Sequence, residues 1–251
     1  MQVGQFKEQF SLEQLTSARF TTFMERSLAD AFAPARNLGA QLHYLGPNWT
    51  VAGGVFSEGI DDDDEDLEVD SGEGIGTTGR ATFAPIMSSN RLVHLGGAIS
   101  WRAPEDPDED AGGADQQLRF RQRPESHVAD QRLVETGTIE NVDDFIRYGA
   151  EAALAWGPGS VQGEYIYTDI ERSSGALPGS GDLDFDGWYI FGSWFLTGES
   201  RAAAYKIEKA AVDRVKPFAN FGPSGWGAFE IAARYSALDL SDEDIDGDCA
   251  S

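Results

Sequence analysis

A period of two, kept up over segments of about ten residues, constrains this chain more than any other feature. In 147–156, Tyr148, Ala150, Ala152, Leu154 and Trp156 share one side of an extended segment, while Arg147, Gly149, Glu151, Ala153 and Ala155 share the other. In 229–237, Phe229, Ile231, Ala233, Tyr235 and Ala237 oppose Glu230, Ala232, Arg234 and Ser236. Leu38, Ala40, Leu42 and Tyr44 alternate in the same way, a Gly46-Pro47-Asn48 turn follows, and Trp49, Val51, Gly53 and Val55 start the return. Gln2–Lys7 reads as a short strand end, and further strands are expected at 76–87, 91–102, 116–123, 131–139, 144–156, 160–171, 184–196, 201–207 and 227–238, with a tight turn at Gly157-Pro158-Gly159. That makes about ten or eleven strands, most of them longer than the ~5–6 residues usual in soluble sheets.

One apolar side and one polar-to-small side on strands of this length fit a membrane-spanning antiparallel β-barrel. A soluble β-sandwich also alternates, but its polar sides carry more charge and less Gly and Ala. Trp49, Trp101, Trp156 and Trp188 stand where interfacial girdles are expected. The connections alternate between short turns and long acidic loops, as they do when the two barrel ends face different compartments.

The formal net charge of −24 is concentrated rather than spread. Segments 61–73, 105–115 and 239–248 hold 9, 6 and 6 acids with no Lys or Arg, leaving 22 acids against 19 bases elsewhere. They fall in acidic loops and a tail at 59–75, 104–115 and 239–251, which read as solvated. Asp182–Gly187 and Asp242–Gly247 look like calcium-loop starts, but neither supplies a glutamate at the twelfth position; the first reads as the start of a strand, the second as a solvated loop. Cys249 is the single cysteine, so no disulfide framework or thiolate metal site is expected, nor any other cofactor. No basic patch interleaved with aromatics suggests nucleic acid. No Ser/His/Asp order or isolated carboxylate pair points to an enzyme.

Two features carry chemistry. In Leu118-Arg119-Phe120-Arg121-Gln122-Arg123-Pro124, three arginines share one face of an extended segment, roughly 7 Å apart, at a repulsive cost of about 2 kcal/mol per neighbouring pair at a dielectric of ~20. Either an anion track or carboxylates on the next strand would offset that cost. The second is a long insertion between the first two strands, at 9–34, with short helical turns expected at Ser11–Leu15 and Thr22–Leu28. It bears Arg19 and Arg26 and is flanked by Lys7 and Arg36.

The words Gly4–Glu13, Thr22–Leu28, Ala31–Asn37, Arg119–His127, Gly192–Glu199 and Gly225–Ser236 resemble the phosphate-selective porin O and P family, in family order along nearly the whole chain. The resemblance implies a trimeric outer-membrane barrel of Gram-negative bacteria with about sixteen strands, surrounded by outer-membrane lipid and passing small anions such as phosphate. It also implies a lumen-constricting loop, matched by 9–34, and an arginine ladder along the inner wall, matched by Arg119, Arg121 and Arg123; Arg19, Arg26, Arg36 and Lys7 join the expected anion pathway. Transport of this kind is passive. With Met1 opening on Gln2-Val3-Gly4 and no terminal aromatic strand, the chain is expected to be an incomplete single barrel domain, part of a longer porin or a truncated relative. Its acidity leaves open a general or cation-preferring porin of the same fold, and a soluble acidic β-protein binding calcium or sugar is the reading from another class.

Overall fold

The computed structural model describes residues 1–57, 74–104, 117–126, 134–173, 181–223 and 225–242. Most of the acidic stretches 59–75, 104–115 and 239–251 lies outside them, as does most of the calcium-like start at Asp242. The described residues form one large antiparallel sheet of nine strands: β1 (Gln2–Lys7), β2 (Arg36–Leu45), β3 (Trp49–Ser57), β4 (Ile75–Met87), β5 (Arg91–Ala103), β8 (Val142–Trp156), β9 (Gly159–Arg172), β10 (Leu183–Phe195) and β13 (Glu230–Asp239), in that spatial order. The four remaining strands are two-residue pieces in two small pairs, β6 (Arg121–Gln122) with β7 (Val134–Glu135) and β11 (Tyr205–Lys206) with β12 (Ala211–Val212).

The sheet is not closed among the described residues: its edges are β1 and β13. With nine alternating strands these edges run in the same direction, so an all-antiparallel barrel built on this sheet takes an odd number of further strands.

Alternation dictates which side faces what. In β8, Arg147, Glu151, Ala153 and Ala155 are buried, whereas Tyr148, Leu154 and Trp156 are exposed. The covered side carries the charged residues of β4, β5 and β8 beside an apolar, aromatic-rich phase on β10, whereas the bare side is almost wholly apolar, the reverse of a soluble sandwich. Cross-strand partners continue the outer band: Ala150, Tyr165, Trp188 and Ala237 form one row, and Leu154, Val161, Gly192 and Ala233 another. On β8, β9, β10 and β13 the rows from Tyr148 to Trp156 carry no charge on the outer phase except Asp186 and Asp239 in the uppermost. They cover about 27 Å of strand, or roughly 21 Å of height at a tilt of ~40°, near the apolar band of a membrane barrel. Acids gather above it at Asp144, Asp169, Glu171 and Asp184, and Arg91 of β5 stands in its lowest row, opposite Trp156, its guanidinium 4.1 Å from that ring.

Turns 46–48, 88–90 and 157–158 join strands at one end. The last turns through Gly157 at φ +60°, which an L side chain rarely adopts, and its N–H donates to Asn90 O. Long connections occupy the other end, with one exception: 196–229, between β10 and β13, is long but springs from the short-turn end.

Four expectations need correction. Among the described residues the sheet has nine strands, not ten or eleven. The described residues of segments 116–123 and 131–139 contribute only β6, β7 and an isolated Leu118–Ile139 bridge, none of it in the large sheet. Residues 201–204 form a 3-10 turn, so the expected strand shrinks to Tyr205–Lys206. The second helical turn of the insertion sits at Leu28–Phe32 rather than 22–28. The first forms at Leu12–Leu15 (α1), capped by Ser11 Oγ, which accepts the Gln14 N–H at 3.1 Å.

Candidate functional site: the inner face and its throat

Three segments fold over the covered side of the sheet: 8–35, then 117–126 with 134–141, and 199–215. Aromatic packing seats the first two. Phe32 from the insertion meets Phe120 from the arginine row edge-to-face at 5.1 Å, and Phe120 in turn packs on Phe185 at 6.1 Å. Phe10, Leu118, Phe145 and Ile170 complete this cluster. Because Leu118 and Phe120 point at the wall, alternation turns Arg119, Arg121 and Arg123 to the other side of their strand. The third segment docks through Ala202, Ala204, Tyr205 and Val212 against Ala84, Leu92 and Ala155.

Buried ionic anchors add direction to this packing. Glu8, at the start of the insertion, accepts hydrogen bonds from Arg102 on β5, Thr78 on β4 and, at 2.7 Å, Asn37 Nδ2 on β2. Glu164 on β9 accepts the N–H groups of Leu12 and Glu13 at 2.9 and 2.6 Å and the Tyr189 hydroxyl at 2.6 Å, pinning α1 to the wall. Glu151 on β8 lies between Arg80 Nη2 at 2.6 Å and His94 Nε2 at 2.8 Å. His94 lies between two partners, with Nε2 2.8 Å from Glu151 and Nδ1 2.8 Å from the Tyr205 hydroxyl, so both ring nitrogens are hydrogen-bonded. Arg201 in the third segment reaches Glu230 on β13 and Thr22 in the insertion, each at 2.6 Å. Sequence reasoning assigned none of Arg80, Arg102, Arg147, Arg201 or Arg234 a role. Apart from Arg201 they all occupy the inner phase of their strands, so the alternation already held the signal.

The expected pathway residues separate into groups. Arg26, from the insertion, and Arg123, from the row, line one cavity of about 250 Å³ together with Gln14, Glu25, Asp30 and Glu125. Lys7 donates from Nζ to Gln14 O at 2.6 Å and to Gln14 Oε1 at 2.7 Å, so it supports that wall. Arg26 Nε lies 3.9 Å from Asp30 and its Nη2 is 3.5 Å from the carbonyls of Gln14 and Thr16. Arg119 pairs with Glu135 on β7 at 2.7 Å, the cross-strand carboxylate considered above as an alternative to an anion. Arg121 is buried, opposite Glu135 in the β6–β7 register. Arg19 is exposed, 5.4 Å from the Phe20 ring, and Arg36 is exposed at the start of β2; neither lines the cavity.

The cavity is thus lined by two guanidinium groups, amides and three carboxylates. Glu125 is engaged from behind: it accepts from Arg234 Nη2 at 2.5 Å, from the Leu28 N–H at 3.2 Å and from Ser236 Oγ. No cluster of three or more His, Cys, Asp or Glu residues suited to a metal ion occurs among the described residues. Asp182–Gly187 leads directly into β10.

Comparison with known sequences gives the same picture. The sequence profile described as phosphate-selective porin O and P matches residues 1–249. An uncharacterized protein of Caulobacter vibrioides is 32% identical over 250 residues, which cover 98% of this chain and 47% of that protein. Porin O of Pseudomonas aeruginosa is 28% identical over 269 residues, covering 100% of this chain and 57% of its own length. The chain therefore spans about half the length of the curated relatives it matches. An open sheet with its apolar side outward, inward-folded segments carrying arginine, and a family match from residue 1 to 249 converge: this chain belongs to the phosphate-selective porin O and P family.

Proposed function

We propose that this chain forms a large part of a passive outer-membrane porin of a Gram-negative bacterium, one that conducts small anions such as phosphate past arginines on its inward-folded segments. The observation that carries the reading is the meeting of Arg26 and Arg123, from segments almost a hundred residues apart, on one cavity at the covered side of the sheet. A guanidinium keeps its charge at any working pH and replaces water around phosphate oxygens with a fork of donors. Arg121, which is buried, and Arg119, which Glu135 balances, continue the row away from that cavity as weaker stations, since conduction favours several moderate sites over one deep one. The insertion 9–34 is the constricting loop of this reading, and Lys7, Arg19 and Arg36 stand at its margins. The whole barrel assembles as a trimer in outer-membrane lipid.

A second reading has its own support: Glu25, Asp30 and Glu125 line the same cavity, and the chain is acidic overall, so a general or cation-preferring pore of this fold is the competitor. The exposed apolar band disfavours the soluble alternative. Reversal potentials of the full-length protein in planar bilayers under a KCl gradient, with inorganic phosphate added, decide between the pores. The anion reading predicts anion preference and phosphate block, both weakened in the variant carrying R26A and R123A. Cation preference without block sinks it.

A further inference from the structure

Arg234 of β13 stands behind the throat rather than in it, and every one of its donors is spent on an inward-folded segment. Nε and Nη2 donate to Glu125 Oε2 at 3.1 and 2.5 Å; Nη1 donates to Glu13 Oε1 at 3.1 Å and to the Glu25 carbonyl at 3.0 Å; Nη2 also donates to the Arg26 carbonyl at 3.2 Å. Its guanidinium carbon lies 4.5 Å from the Phe23 ring. One side chain on the wall therefore grips both segments that build the cavity, at the backbone of Glu25 and Arg26 on one and at the carboxylate of Glu125 on the other. A lysine offers a point charge in place of a planar fork and cannot make this set of contacts.

We propose that Arg234 is the positioning residue of the throat and sets its charge balance: it fixes how far apart Arg26 and Arg123 stand, and it turns the Glu125 carboxylate from the solute path toward the wall. The proposal rests on the porin reading above and adds a residue that touches no solute. Arg234 balances one of two carboxylates, Glu13 and Glu125. Its loss leaves the pair with one more uncompensated negative charge, and loss of both Arg234 and the Glu125 charge restores the original sum.

The test is the anion-to-cation permeability ratio of the full-length protein in planar bilayers under a KCl gradient. R234M is expected to lower the ratio about sixteenfold, because one unit charge ~8 Å from the path at an effective dielectric of ~50 shifts the anion and the cation about fourfold each in opposite directions. R234M combined with E125Q returns it toward the starting value, and E125Q alone, which leaves β13 untouched, raises it. R234K keeps the ratio within twofold but increases open-channel current noise, because charge is retained while the grip on Glu25 and Arg26 is lost. A ratio unmoved by E125Q, or a double variant no better than R234M, overturns the proposal. If the starting protein shows no anion preference, the anion reading fails, yet the order R234M, double variant, E125Q still tests the role of Arg234.

Discussion

Replacing Glu151 by Gln removes one charge and almost no volume from the inner face. Arg80 and Glu151 have side chains 1% and 3% exposed, and His94, at 0%, closes the other side of the carboxylate. In E151Q the amide oxygen still accepts from His94, but the Arg80 cation stays in place without its counter-charge. Breaking a buried pair from one side costs about 3–5 kcal/mol. The surviving bond from Arg80 Nη2 to Ala210 O, at 2.9 Å, puts the expectation at the lower end, about 3 kcal/mol. Adding R80M removes the stranded cation, and the double variant returns to within about 1 kcal/mol of the parent, since a buried pair exchanged for neutral groups is often close to neutral. The assay is urea unfolding of the full-length protein in lipid vesicles, followed by tryptophan fluorescence. A cost below about 1 kcal/mol for E151Q, or a double variant less stable than E151Q, refutes the view that these inner-wall pairs are closed off from water.

Other outcomes follow from separate parts of the structure. E135Q releases Arg119 from its 2.7 Å pair and is expected to raise the permeability ratio for anions, read as a shift in reversal potential, while changing stability by less than about 1 kcal/mol because both side chains are partly exposed. G39A places a Cβ 2.5 Å from both the Val55 carbonyl and a Phe56 ring carbon, and is expected to cost roughly 1–3 kcal/mol in the same unfolding assay. Glu199 lies in the turn after β10: burial alone would raise its carboxyl, but hydrogen bonds from Thr197 and from the Phe218 N–H outweigh it and hold it below the usual range. A depressed folded pKa stabilises above the unfolded value, so this link is intact at neutral pH and lost as pH falls from about 4 through the lower folded value. Hydrogen exchange at the Phe218 amide should therefore show protection that falls in acid, whereas E199Q shows weaker and pH-independent protection.

The wall was legible in the sequence because its period is local. Tyr148 to Trp156 on one phase and Arg147 to Ala155 on the other require no partner to be read, and both phases hold in the structure. The arginine row was misplaced for a reason that alternation cannot reveal. Leu118 and Phe120 look like the apolar phase of a wall strand, yet they bury against Phe32 and Phe185 across the inner face, a contact between residues dozens of positions apart. Residues 201–212 were harder still: their five alanines and one tyrosine carry no strong period, and they dock through contacts distant in sequence, Tyr205 on His94 and Ala202, Ala204 and Val212 on Ala84, Leu92 and Ala155. Arg80, Arg102, Arg147 and Arg234 were visible as inner-phase charges, but their meaning depends on Glu151, Glu8, Phe32 and Glu125, which the sequence places far away.

The central claim is that Arg26 and Arg123 face the path a solute takes. Substituted-cysteine accessibility tests it most directly, with R26C and R123C made one at a time in full-length protein otherwise free of cysteine and treated with charged thiol reagents during current recording. If the two positions line the path, each reagent changes the current in both variants, and a negatively charged adduct lowers anion conductance more than a positive one. Unchanged current at both positions, with labelling verified by mass, would contradict the account.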